Sequence, residues 1–253
     1  MLKALDGILL VDKPAGWTSH DVVAKVRSTL RQAQSLKLKA ESQDKKLLAS
    51  SSQLPARAPK VRVGHTGTLD PAATGLLILV IGKYTKRAKE FSKLDKTYET
   101  EVTLGSISST GDIEGEITPK STHRPDKSAV EAVLSTFLGE ISQTPPQYSA
   151  IKIGGQRAYK LARAGKTVEI EPRKVKIYEL TDVDYDYPKL SFTVSVSSGT
   201  YIRSLAEDIG AKLGTGAYMS ALRRTKVGKY DAKDALTLEE ATIAKIEKSL
   251  APH

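Results

Sequence analysis

Residues 96–104 read Lys-Thr-Tyr-Glu-Thr-Glu-Val-Thr-Leu, and the alternation within them decides the fold class. Tyr98, Thr100, Val102 and Leu104 share one face while Glu99, Glu101 and Thr103 share the other, the period of two that a half-buried antiparallel strand requires. Upstream, Gly7-Ile-Leu-Leu-Val-Asp-Lys13 and Gly75-Leu-Leu-Ile-Leu-Val-Ile-Gly82 are compact apolar runs flanked by Gly or Pro, so each predicts a buried strand. Between them, Thr18 or Ser19 can cap a helix that has Asp21 in its first turn and Val22, Val23, Val26 and Leu30 on one face. Downstream, Val130, Val133, Leu134, Phe137 and Leu138 predict an amphipathic helix, and residues 189–196 a strand. Tyr201 to Leu213 predicts a helix with Leu205, Ile209 and Leu213 at four-residue steps, and Leu236-Thr-Leu-Glu-Glu240 the start of a polar helix to Ser249. Strands and helices interleave without a βαβ rhythm, so the class is α+β.

Composition narrows the function classes. Thirty-nine Lys and Arg against 29 Asp and Glu leave a formal charge of +10, which points to a polyanionic partner, first of all nucleic acid. With 40% apolar and 27% charged residues the 253-residue chain can bury a core, and it reads as one elaborated domain, 1–253. No apolar run approaches 18 residues, and the N-terminus has no signal-peptide pattern, so a cytoplasmic protein without membrane attachment is expected. Without cysteine there are no disulfides, thiolate nucleophiles or Cys-ligated metals, and His20, His65, His123 and His253 lack a metal-site spacing. No metal and no cofactor are expected.

Two stretches stand apart from the core pattern. Residues 31–60 lose the apolar period and carry seven Lys or Arg against two acids, which reads as a flexible basic insertion, either a solvated linker or an arm that grips RNA. At about 145–173, Pro145-Pro-Gln-Tyr-Ser-Ala150 and the Gly154-Gly155 break precede Arg157, Lys160, Arg163 and Lys166 around Tyr159. On a helix those cations would form a basic stripe, so the stretch reads as an arm that closes on RNA.

The chemistry-bearing candidates lie in loops. Residues 60–75, Lys-Val-Arg-Val-Gly-His-Thr-Gly-Thr-Leu-Asp-Pro-Ala-Ala-Thr-Gly, hold three glycines, His65 and Asp70 in a strand-to-strand connection. Taken alone, Asp70-Pro71 also fits a capped turn and His65 a packing residue, while the glycine spacing is wrong for a phosphate loop. Gly199-Thr-Tyr201-Ile-Arg203-Ser-Leu205 puts an arginine near a helix start, where the dipole disfavours a cation unless a carboxylate or phosphate is close. Pairing with an Asp would hold that carboxylate ionised. Leu222-Arg223-Arg224 precedes Thr225-Lys226 in a second basic cluster that could meet phosphates.

Four segments together resemble the TruB family of tRNA pseudouridine synthases: residues 7–19, Gly64-His-Thr-Gly-Thr-Leu-Asp-Pro71, Lys96-Thr-Tyr-Glu99 and Gly199-Thr-Tyr-Ile-Arg-Ser-Leu205. The resemblance spans nearly the whole chain. It implies a pseudouridine-synthase fold with a central mixed, mostly antiparallel sheet flanked by helices and loops. The implied activity is isomerisation of uridine 55 in the T-loop of tRNA, with no cofactor. It makes Asp70 the catalytic aspartate, Tyr98 and Arg203 its partners, and His65 the residue that fills the space the extruded base vacates. Lys13, Arg157, Lys160, Tyr201, Leu222, Arg223 and Arg224 are the further candidates for holding RNA. The expected partner is the T-arm stem-loop of tRNA, bound by a monomer with no obligate protein partner. Departures from the family pattern are the 31–60 insertion and a chain that stops without the C-terminal RNA-binding module many relatives carry. A synthase acting on another RNA and a non-catalytic RNA-binding protein or chaperone remain as alternatives.

Overall fold

A computed structural model describes residues 5–46, 61–149, 151–165 and 169–250. The chain separates into two compact units: Met1–Ser92 with Tyr230–His253, and Lys93–Lys229 between them. In chain order the elements begin with β1 (Gly7–Lys13), α1 (Ser19–Lys46), β2 (Val63–His65), β3 (Thr74–Ile81), a 3-10 helix over Gly82–Arg87 and α2 (Ala88–Ser92). The second unit holds β4 (Lys96–Leu104), β5 (Ser106–Ser108), β6 (Ile117–Pro119), α3 (Lys127–Ser135), β7 (Gly139–Gln143), β8 (Lys152–Ile153), β9 (Gln156–Arg157) and α4 (Ala158–Arg163). It continues through β10 (Arg173–Asp186), β11 (Lys189–Val196), α5 (Ile202–Lys212) and β12 (Ala217–Val227). The chain then returns to the first unit with β13 (Tyr230–Asp231), β14 (Leu236–Thr237) and α6 (Ile243–Ser249).

In the first unit β3 pairs antiparallel with β1 along its length, Gly7 opposite Ile81 and Lys13 opposite Gly75, and with β2 through residues 63–65. β14 lies parallel to β1. The apolar run of β3 is buried from Gly75 to Ile81. Onto this sheet α1 places Val22, Val23, Val26 and Leu30, the face its spacing predicts, in one cluster with Leu9, Val11, Val63, Leu77, Leu79 and Ile81. Each such side chain, taken fully out of water, contributes about 1.5–3 kcal/mol. A reciprocal cap sets the helix start: Asp21 N–H donates to Thr18 Oγ1 (3.1 Å), and Thr18 N–H donates to Asp21 Oδ2 (3.0 Å). The Thr18 hydroxyl, donating to Asp21 Oδ2 at 2.6 Å, and then the Thr18 N–H hold the Asp21 carboxyl below the usual carboxylate range.

In the second unit the strands run β12-β4-β11-β10-β7, every neighbour antiparallel. Tyr98, Thr100, Val102 and Leu104 are buried and Glu99 is exposed, so the alternation of β4 places its faces as its sequence requires. α5 buries Leu205 and Ile209 and packs closely on the start of β12. A side chain at Gly210 would collide with the backbone of Gly216 and Ala217, whose turn is tied to it by Thr215 and Gly216 N–H bonds to the Gly210 carbonyl (both 3.0 Å). The architecture is α+β with a mostly antiparallel sheet, as expected.

Four expectations are corrected. The insertion expected at 31–60 is helical through Lys46, because Gln, Ala, Leu, Lys and Glu are strong helix formers that extend α1 without an apolar face; residues 47–60 lie outside those described. The basic stripe is not one helix: Arg157 closes the β8–β9 hairpin, whose Gly154-Gly155 turn has φ of +56° and +83°, and α4 covers only residues 158–163. Lys166 lies outside the described residues. Leu236-Thr237 pairs with β1 instead of opening a helix, which begins at Ile243 under a Thr242 cap. Leu138 is 49% exposed, since α3 ends at Ser135 before it can join the apolar face.

Candidate active site

In the first unit the candidate residues lie in the turn after β1, the start of α1 and the loop between β2 and β3. Asp70 lies in that loop, half-buried, its carbonyl accepting Ala73 N–H at 3.1 Å. The residue before it is held from one side: Ser19 Oγ donates to the Leu69 carbonyl and accepts Leu69 N–H, each at 2.9 Å, with Ser19 buried. The residue after it is held from the other. Pro71 presents its carbonyl to Gly16 N–H at 2.9 Å and to Lys13 Nζ at 3.1 Å. Lys13, fully buried, also donates to the carbonyls of Trp17 (2.7 Å) and Pro14 (2.9 Å), so one ammonium ties two loops together. Hydrogen bonds to a charged donor are the stronger kind, and buried between three carbonyls they fix the backbone on which Asp70 sits. At the loop's start, Thr66 bonds back to the Ile78 carbonyl through N–H (3.1 Å) and Oγ1 (3.3 Å), and the His65 ring packs edge-to-face on His20, centroids 5.2 Å apart at 81°.

In the second unit a network of hydrogen bonds surrounds Arg203. The guanidinium donates from Nη1 to the Thr110 carbonyl (3.1 Å) and from Nη2 to the Tyr148 carbonyl (2.9 Å), and Nη1 lies 3.4 Å from Asp112 Oδ2. Asp112 sits in the turn between β5 and β6, where its Oδ1 accepts Thr110 Oγ1 (2.6 Å) and Glu114 N–H (3.0 Å). The first turn of α5 is fastened as well. Gln143 grips Tyr201 with both ends of its amide, Oε1 accepting Tyr201 N–H at 2.8 Å and Nε2 donating to the Tyr201 carbonyl at 3.0 Å, and Ser204 Oγ reaches the Thr144 carbonyl at 2.9 Å. Tyr98 lies buried on β4, between Val194 of β11 and Arg224 of β12. Two residues earlier Lys96 is buried too, and desolvation first, then the charge of Arg224, pulls its ammonium down to about 8.

The sequence-predicted residues therefore fall into two groups. Lys13, His65 and Asp70 belong to one connected loop system, and Tyr98, Tyr201, Arg203, Leu222, Arg223 and Arg224 to the other unit. Leu222 and Arg223 are half-buried, and Lys160 is exposed on α4. Two of the residues expected to hold RNA are buried. Lys13 is used on backbone carbonyls, and Arg224 is only 2% exposed because the bulge between Met219 and Ala221 shifts the alternation of β12 and sets it beside buried Tyr98. Sequence reading passed over Ser19 as anything but a cap, and over Gln143 and Asp112. Only Asp112 carried a local signal: Thr110-Gly-Asp-Ile-Glu-Gly115 sets an Asp between two turn glycines, Gly111 at φ +75°. Among the described residues no group of three or more His, Cys, Asp or Glu is placed to hold a metal ion, and no helix is long and apolar enough to cross a membrane.

A family model described as "TruB family pseudouridylate synthase (N terminal domain)" matches residues 56–202, and one described as "tRNA pseudouridylate synthase B C-terminal domain" matches residues 203–250. The tRNA pseudouridine synthase B of Thermobifida fusca (strain YX) is 44% identical over 247 residues, which cover 93% of this chain and 74% of the relative. That of Opitutus terrae is 41% identical over 254 residues, covering 99% of this chain and 94% of the relative. Among solved structures, a chain of a Cbf5-Nop10-Gar1 complex superposes with a TM-score of 0.66 at 27% identity over 98% of this chain. The present chain spans 60% of that one.

Proposed function

Because the chain belongs to the TruB family of pseudouridylate synthases, we propose that it converts uridine 55 in the T-loop of tRNA to pseudouridine, with Asp70 as the reacting carboxylate. The reaction breaks the bond between uracil N1 and ribose C1′, turns the base, and joins C5 to C1′; the proton on C5 leaves and N1 gains one. Nothing is oxidised and no group leaves the molecule, so a carboxylate, a proton relay and a pocket suffice. Asp70 either adds to the sugar or base or stabilises the cation that develops as the glycosidic bond breaks. Tyr98 supplies the ring on which the extruded base stacks and a hydroxyl that can relay a proton. Arg203, always charged, keeps the surroundings favourable to an ionised carboxylate. A base inside a folded loop is out of reach, so it must be extruded, and His65 is the side chain proposed to enter the gap it leaves.

The observation that supports this assignment is the fixing of the Asp70 loop on both flanks, by Ser19 at Leu69 and by Gly16 and Lys13 at Pro71. A nucleophile gains from a backbone that does not have to be ordered at the moment of reaction. Substrate grip falls to exposed cations such as Lys160 and to half-buried Arg223, through phosphates that set register without reading sequence. The reading takes a single chain in the cytoplasm, where tRNA is found, with the T-arm stem-loop as its minimal substrate.

The test is Asp70→Asn, assayed on a T-arm hairpin and on whole tRNA by tritium release from C5. Turnover should vanish while Kd stays within a few-fold of wild type. Appreciable turnover by the variant would remove Asp70 from the chemistry. Wild-type activity on another RNA and none on tRNA would replace the substrate.

A further inference from the structure

We infer that His20 is a positioning residue for His65, holding the imidazole in the orientation in which it enters the tRNA loop. The inference rests on the reading of His65 given above. His20 is the second residue of α1 and exposed, so it contributes little to the core. Its backbone is nevertheless anchored on both sides. Ser19 on one side is bonded through its hydroxyl to both backbone polar groups of Leu69, and Asp21 on the other is locked into the reciprocal cap with Thr18. Anchoring at both neighbours sets where the His20 Cβ stands beside the β2–β3 loop, and from there the ring meets His65 edge-to-face, centroids 5.2 Å apart and planes at 81°. That is the arrangement aromatic rings favour over face-to-face contact.

The geometry matters because of what His65 has to do. It stands at the end of β2, where the ladder to β3 holds its backbone through Leu79, and the edge-to-face contact with His20 is a restraint on the ring itself, about χ1 and χ2. An imidazole that fills the space of a departed base must offer its plane in one orientation. Rotamers lost on binding RNA weaken affinity, and a ring already restrained loses fewer. Among the described residues, His65 meets His20 across the ring contact and the Asp21 carboxylate lies beside it.

The proposal is tested with His20→Ala, His20→Phe, His65→Ala and the His20→Ala/His65→Ala double variant. Three measurements separate its parts: the ring-proton chemical shifts of His65 in the free protein, Kd for the T-arm hairpin, and the single-turnover rate at saturating enzyme. His20→Ala should move the His65 resonances and weaken Kd roughly three- to tenfold, the scale of one edge-to-face ring pair. The loss should fall on Kd more than on the single-turnover rate, and His20→Phe should restore affinity to within about twofold. In the His65→Ala background, His20→Ala should cost nothing further. An unchanged Kd in His20→Ala beside a weakened His65→Ala overturns the proposal, as does an equal loss in both backgrounds, which would make His20 an RNA contact in its own right. Should His65→Ala itself bind normally, the reading of His65 fails and the inference with it, while the chemical shifts still report whether the ring pair exists.

Discussion

Asp112 Oδ2 and Arg203 Nη1 lie 3.4 Å apart with the two side chains 5% and 7% exposed, a buried ion pair that ties the β5–β6 turn to the first turn of α5. Removing one member of such a pair leaves an uncompensated charge in a low-dielectric site. Asp112→Ala should therefore cost about 3–5 kcal/mol of stability, read by urea unfolding. Asp112→Asn keeps the bond from Glu114 N–H and should cost less stability, yet lose at least tenfold in kcat/KM. Arg203→Lys should lose most activity as well, because a single nitrogen cannot reproduce the planar spread by which Nη1 and Nη2 reach Thr110 and Tyr148 separately. A fully active Asp112→Asn enzyme would mean that Arg203 needs no carboxylate partner in its own unit.

Ser19 is expected to affect chemistry without touching RNA. Ser19→Ala strands the buried N–H and C=O of Leu69, at a cost of about 1–3 kcal/mol. Because those groups directly precede Asp70, kcat should fall by roughly tenfold while KM moves little. Loss confined to the melting temperature, with kcat intact above it, would limit Ser19 to the fold.

Tyr98→Phe preserves a buried ring on β4 and removes one hydroxyl. Stability and RNA affinity should be retained, and single-turnover rates should drop if the hydroxyl moves a proton. A Phe enzyme running at full speed would leave Tyr98 with stacking alone.

Lys96 sets a pH dependence whose sign follows from its burial. In the folded chain its ammonium titrates at about 8 against 10.5 for the free side chain. Between those values the unfolded chain binds more protons, so stability rises with pH across that window, and below about 8 the full cost of burying the cation is present. Lys96→Met should raise stability at pH 7 and flatten the rise between pH 8 and 10.5. Urea unfolding at pH 7, 8, 9 and 10 measures both, and a variant less stable at pH 7 would show that the bond from Nζ to the Leu94 carbonyl outweighs desolvation.

Much of the fold was legible because it rests on local periodicity. Val22, Val23, Val26 and Leu30 carry a helical face, the β3 run has the length and flanking glycines of a buried strand, and residues 98–104 alternate strictly. The same rule misled where propensity works without amphipathicity: residues 31–46 are helical although their sequence keeps no sustained apolar period. It misled again at Leu236-Thr237, where pairing with β1 overrides a helix-start pattern. At the site, Asp70, Tyr98 and Arg203 stand out through motif resemblance. Their supports could not, since Ser19 meets Leu69 across 50 positions, Gln143 meets Tyr201 across 58, and Arg203 meets Thr110 across 93. Contacts of that range leave no trace in spacing. The burial of Arg224 and Lys13 was likewise hidden, because a cation in a sequence reads as a surface group.

The missing side chain at Gly210 reaches further than packing. Seven residues separate it from Arg203 along α5, about 10 Å of helix. A rigid rod pressed at one end moves at the other, so a methyl group forced against Gly216 and Ala217 would be felt as a tilt of the guanidinium. A genetic screen for cells lacking the modified base should accordingly return substitutions at Gly210, a position that touches neither nucleotide nor proton. A sequence logo would then show it as invariant for a reason that no catalytic map contains.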